Sequence, residues 1–559
     1  MEASGRPPAA PTRGLSADAG DRVTAAPPAS RRRRGRWARR GLAVLLGAPL
    51  ALAFPRPSLW WLAFFGLAPL VVLVRSAPSG REAVVAAWLG GAGFFFAVDS
   101  FVLSKVGPFA PLLALVLGAC WLPWGWLAWA LLHGRPGPGR VLAALLLVPS
   151  AWVAGEYVRA WPGLGGPWGL LGTSQWNQPA VLALASVGGV WAVGFLLVAV
   201  NVGVAVALLP DARVWPAAPR LPGRPRPAGV RAAADGIPRL AVTLAGLGVP
   251  LVLVAGTLAY AAARPAPRDT HTMRVALVQP GVIDHVEARF RASEAATLGL
   301  AGSRPDLVVW GESSVGRDPD RNPADLARIA AAARAVGAPL LVNVDADRAG
   351  GGGIYKSSVL VGPDGRRLGS YDKMRLVPFG EYVPLRPLFG WVTRFTDAAA
   401  ADRRRGTSLR VLHAGPVAAG PLVCFESAFP DLARNLAARG ADLVVVQSAT
   451  TTFQRSWAPD QHASLAAVRA VESGRPVVQA ALSGVSAAFD ARGRRLAWRP
   501  ATWRGAVVVE LPRSRETTPY VRFGDWLPRA CCLVVVLAAL AALAGRRRSR
   551  PDRGEALRS

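Results

Sequence analysis

Gly420-Pro421-Leu422-Val423-Cys424-Phe425-Glu426-Ser427 reads as a short apolar strand that stops at a thiol, with a carboxylate two residues beyond. A helical pattern follows at 428–439, so the stretch spells strand, tight turn, helix, the unit of layered α/β folds. The same alternation extends outward over residues 273–512. Short β-branched runs at 274–279, 307–310, 339–344, 443–447, 477–482 and 506–510 are separated by Ala-rich helical patterns, at 284–302, 323–336 and 459–474 among them. About 240 residues of this kind suffice for one sizeable core. No internal repeat is visible.

Within this segment two more ionisable residues follow short hydrophobic runs: Glu312 in Leu307-Val308-Val309-Trp310-Gly311-Glu312-Ser313, and Lys373 in Tyr371-Asp372-Lys373-Met374-Arg375. A thiol attacks as its thiolate, and a free cysteine is mostly protonated near neutral pH. Glu312, placed at a strand end and partly desolvated, is the candidate base, with a carboxyl pKa expected to rise toward the proton-shuttling range. Lys373, with a backbone N–H near Phe425, can meet the oxyanion formed when Cys424 attacks an acyl carbonyl. Each residue alone has an ordinary alternative: an inert core thiol, a capping or solvated carboxylate, a surface ammonium. The other three cysteines, Cys120, Cys531 and Cys532, lie in apolar spans and read as small hydrophobes. No cysteine or histidine spacing matches a metal site or a disulfide framework, so neither metal nor organic cofactor is expected.

Around this segment the chain changes character. It has 559 residues, 52% of them hydrophobic, with 20 Trp and a formal net charge of +30; its mean hydropathy is +0.29. Apolar stretches fall at 42–56, 58–75, 83–105, 110–132, 141–159, 180–209, 240–262 and 527–545, most of them near the ~20 residues a bilayer span needs. Eight spans are expected, the first two forming a tight hairpin around Pro55 and Pro57. Arginines collect at 31–40, 75–81, 135–140, 213–239 and 546–548, which are alternate loops on one side. By the positive-inside rule that side is cytoplasmic. The resulting plan is a disordered basic tail at 1–40, a seven-helix membrane domain at 41–262, an extracytoplasmic α/β domain at 273–512, an eighth helix at 527–545 and a cytoplasmic tail at 546–559. The Pro/Arg-rich stretch 211–239 is an irregular cytoplasmic connection. The basic charge thus marks topology, and nucleic-acid binding is excluded as its explanation.

The local strings carry a family resemblance. Lys373-Met374-Arg375-Leu376-Val377-Pro378-Phe379-Gly380-Glu381-Tyr382-Val383-Pro384 resembles the lysine segment of bacterial apolipoprotein N-acyltransferases, membrane members of the nitrilase (carbon–nitrogen hydrolase) superfamily. Val309-Trp310-Gly311-Glu312-Ser313-Ser314 resembles their Glu segment and Val423-Cys424-Phe425-Glu426 their Cys segment. The likeness extends to Gln461-His462, to Arg469 through Pro476, and to Gly165-Gly166-Pro167-Trp168 through Ser174-Gln175 in the membrane half. It implies an αββα sandwich on the outer membrane face, with Glu312 as general base, Lys373 as oxyanion-stabilising lysine and Cys424 as the acylated nucleophile. Glu381 matches a glutamate supporting the lysine, and Glu426 the acidic residue after the nucleophile. The implied reaction moves a fatty acyl chain from a phospholipid, through a cysteine thioester, to the α-amine of a diacylglyceryl lipoprotein, by a monomer in the plasma membrane.

The chain departs from the family strings at several points. Gly311 stands where a proline is usual, Lys356 where Tyr-Asn-Ser is usual, and Ser448-Ala449-Thr450-Thr451-Thr452-Phe453 where Ser-Asn-Asp-x-Trp-Phe is usual; Phe425 replaces a tyrosine. Apolar loops at Phe389-Gly390-Trp391-Val392 and at Thr452-Phe453 with Trp457 are candidates for a lipid portal. Two other readings compete: a membrane-tethered amidase of nitrilase type, for which one anchor helix would suffice, and a non-catalytic scaffold or transporter, which needs charged residues along its spans. Asp99 and Glu156 are the main acids there, both near span ends.

Overall fold

The computed structural model describes residues 29–162, 166–208, 239–265, 271–348, 353–394 and 402–548. In β1 (Thr272–Gln279), Val275 and Leu277 enter one hydrophobic cluster and Ala276 and Val278 another. Period-2 alternation with both faces apolar requires a strand buried on both sides. Parallel neighbours β2 (Leu307–Trp310) and β3 (Leu340–Asp347) continue the sheet, which antiparallel β4 (Ile354–Val361) and β5 (Arg367–Asp372) extend. β12 (Gly505–Pro512) closes the other edge, pairing antiparallel with β1. A second six-stranded sheet has the same plan. Parallel β7 (Val417–Val423), β8 (Leu443–Ser448) and β9 (Val477–Ala481) form its centre. Antiparallel β6 (Leu412–Ala414), β10 (Ser486–Phe489) and β11 (Arg495–Arg499) flank them.

The sheets pack face to face through Val275, Leu277, Val309 and Leu341 on one side and Ala419, Val445, Val478 and Ala480 on the other. Helices Val286–Leu298 and Pro323–Val336 cover the first sheet, placing Phe290, Ile329 and Ala333 against Val308 and Trp310. Helices Pro430–Ala438 and Ala458–Ser473 cover the second. The parallel strands need these crossover helices to connect them, and the result is an αββα sandwich. Five strands lie beyond the runs read from sequence: β4, β5, β6, β10 and β11.

Among the described residues, six helices are long and apolar enough to cross a membrane: Gly80–Val98, the broken run Ser100–Leu132, Pro138–Arg159, Val190–Ala207, Leu240–Ala263 and Trp526–Ala544. The apolar stretch at 58–75 forms a shorter helix, Leu62–Arg75. The stretch at 42–56 completes a helix that begins at Ala29 and passes into a 3-10 turn, Ala48–Ala53. The basic segment is helical from Ala29, and that helix runs on through Gly35 and Gly41 into the apolar stretch. Arg39 donates to the Leu73 carbonyl at 2.8 Å and to Ser76 Oγ at 3.0 Å, so the first two helices lie side by side. The 211–239 connection, apart from its last residue, and the ends of the chain lie outside the described residues.

The helix Ala458–Ser473 joins the two halves. Its Glu472 accepts the Val190 N–H at 2.7 Å, its Gln461 accepts the Trp168 indole N–H at 2.9 Å, and its Asp460 pairs with Arg56 at 3.1 Å. Trp176 of the membrane half stacks on Trp498 at 5.1 Å. The sandwich is thereby seated on the helical domain through its second sheet.

Candidate active site

Three segments converge at the carboxyl ends of β2, β5 and β7. Gly311 turns the chain after β2; a Cβ there would collide with the backbone of Leu482, so the position has room for no side chain. Glu312 follows, buried to 3% exposure, its N–H donated to the Ser448 carbonyl at 3.2 Å. Gln447 ties the two sheets together beneath it, donating to the carbonyls of Trp310 at 2.8 Å and Leu341 at 3.1 Å. Lys373 follows β5 and is 1% exposed. Cys424 terminates β7 with φ +50°. Ser313 and Phe379 hold similar values, +55° and +60°. Left-handed backbone at non-glycine residues costs roughly 1–2 kcal/mol each, and three instances cluster here. Ser313 is held by its N–H on Asn343 Oδ1 at 2.9 Å.

Cys424 is held by its neighbour. Glu426 Oε2 accepts the Val423 N–H at 2.8 Å. Glu426 Oε1 accepts the Tyr371 hydroxyl at 2.7 Å and the N–H groups of Met374 at 2.7 Å and Arg375 at 3.0 Å. One buried carboxylate therefore fastens the thiol turn to the lysine segment. Burial pushes the Glu426 carboxyl up, opposed by those donors, and burial together with Glu426 pushes the Tyr371 hydroxyl well up.

The ionic centre is built on Glu312. Its Oε1 accepts from Lys356 Nζ at 2.8 Å and Lys373 Nζ at 3.2 Å, and its Oε2 accepts the Ala449 N–H at 3.1 Å. Lys373 Nζ also donates to Glu381 Oε1 at 2.8 Å, whose Oε2 takes the Val377 N–H at 2.8 Å. Burial opposes a charged Glu312, but Lys356 and Lys373 overcome it and hold the carboxyl at about 2. The expected upward shift does not occur: two ammoniums on one oxygen outweigh desolvation. Burial works against the Lys373 ammonium too, and Glu312 and Glu381 hold it above its ordinary value. Burial, then the Glu312 charge, pushes the Cys424 thiol up to about 12, against the pull of Lys373. At rest the site thus holds a charged carboxylate beside a protonated thiol.

All five residues singled out from sequence, Glu312, Lys373, Cys424, Glu381 and Glu426, meet in this one place. Three neighbours went unassigned. Lys356 was visible only as a departure from the Tyr-Asn-Ser string. Asp345 approaches Lys356 at 3.6 Å and Arg403 at 3.3 Å, and nothing local marks it. His462 lies 3.4 Å from Ser427 Oγ and stacks against Trp168 at 6.1 Å. The loop resuming at Gly166 comes from the membrane half and bears on the thiol turn: its Gly166 lies against the rings of Phe425 and Phe429. Arg159 anchors that loop by donating to the carbonyls of Gly166 at 3.3 Å and Trp168 at 2.6 Å, and Glu156 accepts the Leu171 N–H at 2.8 Å. The two acids considered for a translocation path differ in place: Glu156 braces this loop, and Asp99 lines a small cavity with Phe95 and Ala110. Of the apolar loops, Phe453 meets Phe101 at 5.3 Å and Trp391 meets Phe109 at 5.6 Å, so both touch the membrane half.

Comparison with known proteins agrees with this two-part architecture. Residues 46–203 match the profile of the apolipoprotein N-acyltransferase N-terminal domain, and residues 274–518 match that of the carbon-nitrogen hydrolases. The apolipoprotein N-acyltransferase of Geobacter metallireducens is 30% identical over 91% of this chain and 95% of its own length. That of Pseudomonas putida is 31% identical over 90% and 97%, and that of Azotobacter vinelandii 32% identical over 93% and 98%. A carbon-nitrogen hydrolase from Helicobacter pylori, of known structure, is 19% identical, covering 45% of this chain and 93% of its own, with a TM-score of 0.35. On the strength of identity over nearly its whole length, the chain belongs to the apolipoprotein N-acyltransferase family.

Proposed function

We propose that the protein transfers a fatty acyl group from a phospholipid to the α-amine of the diacylglyceryl cysteine that begins a lipoprotein, with Cys424 as the carrier. The observation that carries this reading is the meeting of Cys424, Glu312 and Lys373 at one buried point in a chain of this family. Glu312 takes the thiol proton as sulfur attacks the ester carbonyl. Lys373, with a backbone N–H of the turn after Cys424, meets the oxyanion. Collapse forms the thioester, and the proton held by Glu312 passes to the departing lysophospholipid oxygen. The lipoprotein amine then attacks the thioester, Glu312 takes its proton, and the thiolate leaves to be reprotonated. Covalent catalysis divides one hard step into two. Glu381 steadies Lys373, and Glu426 fixes the distance between thiol turn and lysine segment.

Arginines on alternate loops support a topology with eight apolar stretches in the plasma membrane, both termini cytoplasmic and the sandwich outside. The aromatic residues Trp391 and Phe453, at the seam with the membrane half, suit a portal through which both lipid-anchored substrates reach Cys424. The protein acts as a monomer in this reading. Mass spectrometry of lipoprotein N-termini from a strain carrying Cys424→Ala tests it. Lipoproteins with a free, diacylglyceryl-modified N-terminal cysteine should accumulate; undiminished N-acylation would reject the assignment.

A further inference from the structure

Lys356 lies on β4 opposite Asp345 of β3. Its ammonium is nearer to Glu312 Oε1 than Lys373 is, 2.8 Å against 3.2 Å. It also lies 3.3 Å from Glu381 Oε1, 3.6 Å from Asp345 Oδ2 and 3.4 Å from Ser313 Oγ. Its side chain is 13% exposed. The Lys356 carbonyl accepts the Lys373 N–H at 2.9 Å, so backbone pairing fixes the two lysines relative to each other.

The groups facing Glu312 set the requirement. They are Lys356 from β4, Lys373 from the segment after β5, Cys424 from the turn after β7 and, at longer range, His462 from the helix Ala458–Ser473. Around them Glu312, Glu381 and Asp345 are balanced by Lys356, Lys373 and Arg403. During attack on a carbonyl, Lys373 has to offer its N–H groups to a new oxyanion. Lys373 must turn toward the carbonyl oxygen before Glu312 takes the thiol proton; were it the sole cation on Glu312, that turn would leave a still-ionised, buried carboxylate unpaired, a costly state.

We infer that Lys356 is a positioning residue of the acyl transfer, keeping Glu312 ion-paired and aimed until it takes the thiol proton, while Lys373 turns to the carbonyl oxygen. This rests on the assignment of Cys424 and Glu312 given above. Lys356 is also one of the two ammoniums that hold the Glu312 carboxyl down. Glu312 serves as base only when ionised, so loss of activity on acidification follows its pKa. Removing Lys356 raises that pKa and moves the acid limb to higher pH.

The test is single-turnover acylation of Cys424 in the full-length protein, reconstituted with a phospholipid of defined acyl chains and followed by intact mass across pH. Lys356→Met should acylate at least about tenfold more slowly at saturating lipid, with an unchanged half-saturating lipid concentration and an acid limb raised by about 1 pH unit or more. Lys356→Gln, which can still donate to Glu312 and guards against a folding defect, should show the same raised limb. Lys356→Arg should restore the unsubstituted profile. A folded neutral variant with unshifted acid limb and undiminished rate would overturn this inference alone. Absence of acyl-Cys424 in the unsubstituted protein would overturn the thioester reading, and this one with it.

Discussion

Glu472 Oε1 accepts the backbone N–H of Val190 at 2.7 Å, so a carboxylate of the α/β domain caps the first turn of a membrane helix. The same carboxylate pairs with fully buried Arg469 at 2.8 Å, and Arg469 donates to the Ala428 carbonyl at 3.0 Å, four residues beyond the thiol. A single chain of contacts therefore links the seating of the domain to the nucleophile turn. Breaking a buried pair costs about 3–5 kcal/mol. Glu472→Ala should lower the unfolding temperature in detergent and expose the seam between the halves to limited proteolysis. An unchanged digestion pattern would deny Glu472 a docking role.

Glu426 accepts from four donors and has no donor of its own when ionised. Glu426→Gln replaces one acceptor oxygen by an NH2 group that must face an N–H or hydroxyl. A buried unsatisfied donor costs about 1–3 kcal/mol. The variant should be less stable by that order and should acylate Cys424 more slowly, with lipid affinity little altered. Thermal denaturation and single-turnover kinetics on the same preparation check both halves.

Burial, and after it the Glu312 charge, keep Cys424 protonated against the pull of Lys373. In the free protein, with Glu312 at about 2 and Cys424 at about 12, both groups keep one state across the neutral range. Removing the negative charge lowers the thiol pKa, so more thiolate is present at any pH below it. Glu312→Gln should therefore be alkylated by iodoacetamide about tenfold or more faster at pH 8, yet fail to N-acylate lipoproteins. Slower alkylation would show that the carboxylate does not suppress the thiolate.

Lys373 has two carboxylate partners and almost no exposure. Lys373→Ala should reduce acylation by roughly 10²–10³, the usual effect of losing one oxyanion donor. Lys373→Arg, with a planar and longer group, should recover little of it. Acylation rates within a few-fold of the parent in Lys373→Ala would place the oxyanion donor elsewhere.

The legible parts of the fold were those with both faces apolar. β1, β2, β8 and β9 read as strands because Val and Leu fill them. β5 and β11 are edge strands with largely exposed or half-exposed residues, and β6 has only three residues, so none shows a hydrophobic period. β10, Ser-Ala-Ala-Phe, is buried yet too small-sided to stand out. β4 was obscured by function: Tyr355, Lys356 and Ser357 interrupt its apolar pattern, and Lys356 points to Glu312. Glu312, Lys373 and Cys424 were readable from their strings, whereas the charge state of Glu312 was not. That depends on Lys356, forty-four residues away, which only the pairing of β4 with β3 brings close.

The most direct measurement is the mass of the intact protein after incubation with a phospholipid of known acyl chains in the absence of acceptor. A single acyl adduct on Cys424, released by hydroxylamine and absent in Cys424→Ala, is the predicted result. An unmodified Cys424 after exposure to phospholipid, or an adduct that survives both hydroxylamine and the Cys424→Ala substitution, would contradict the account.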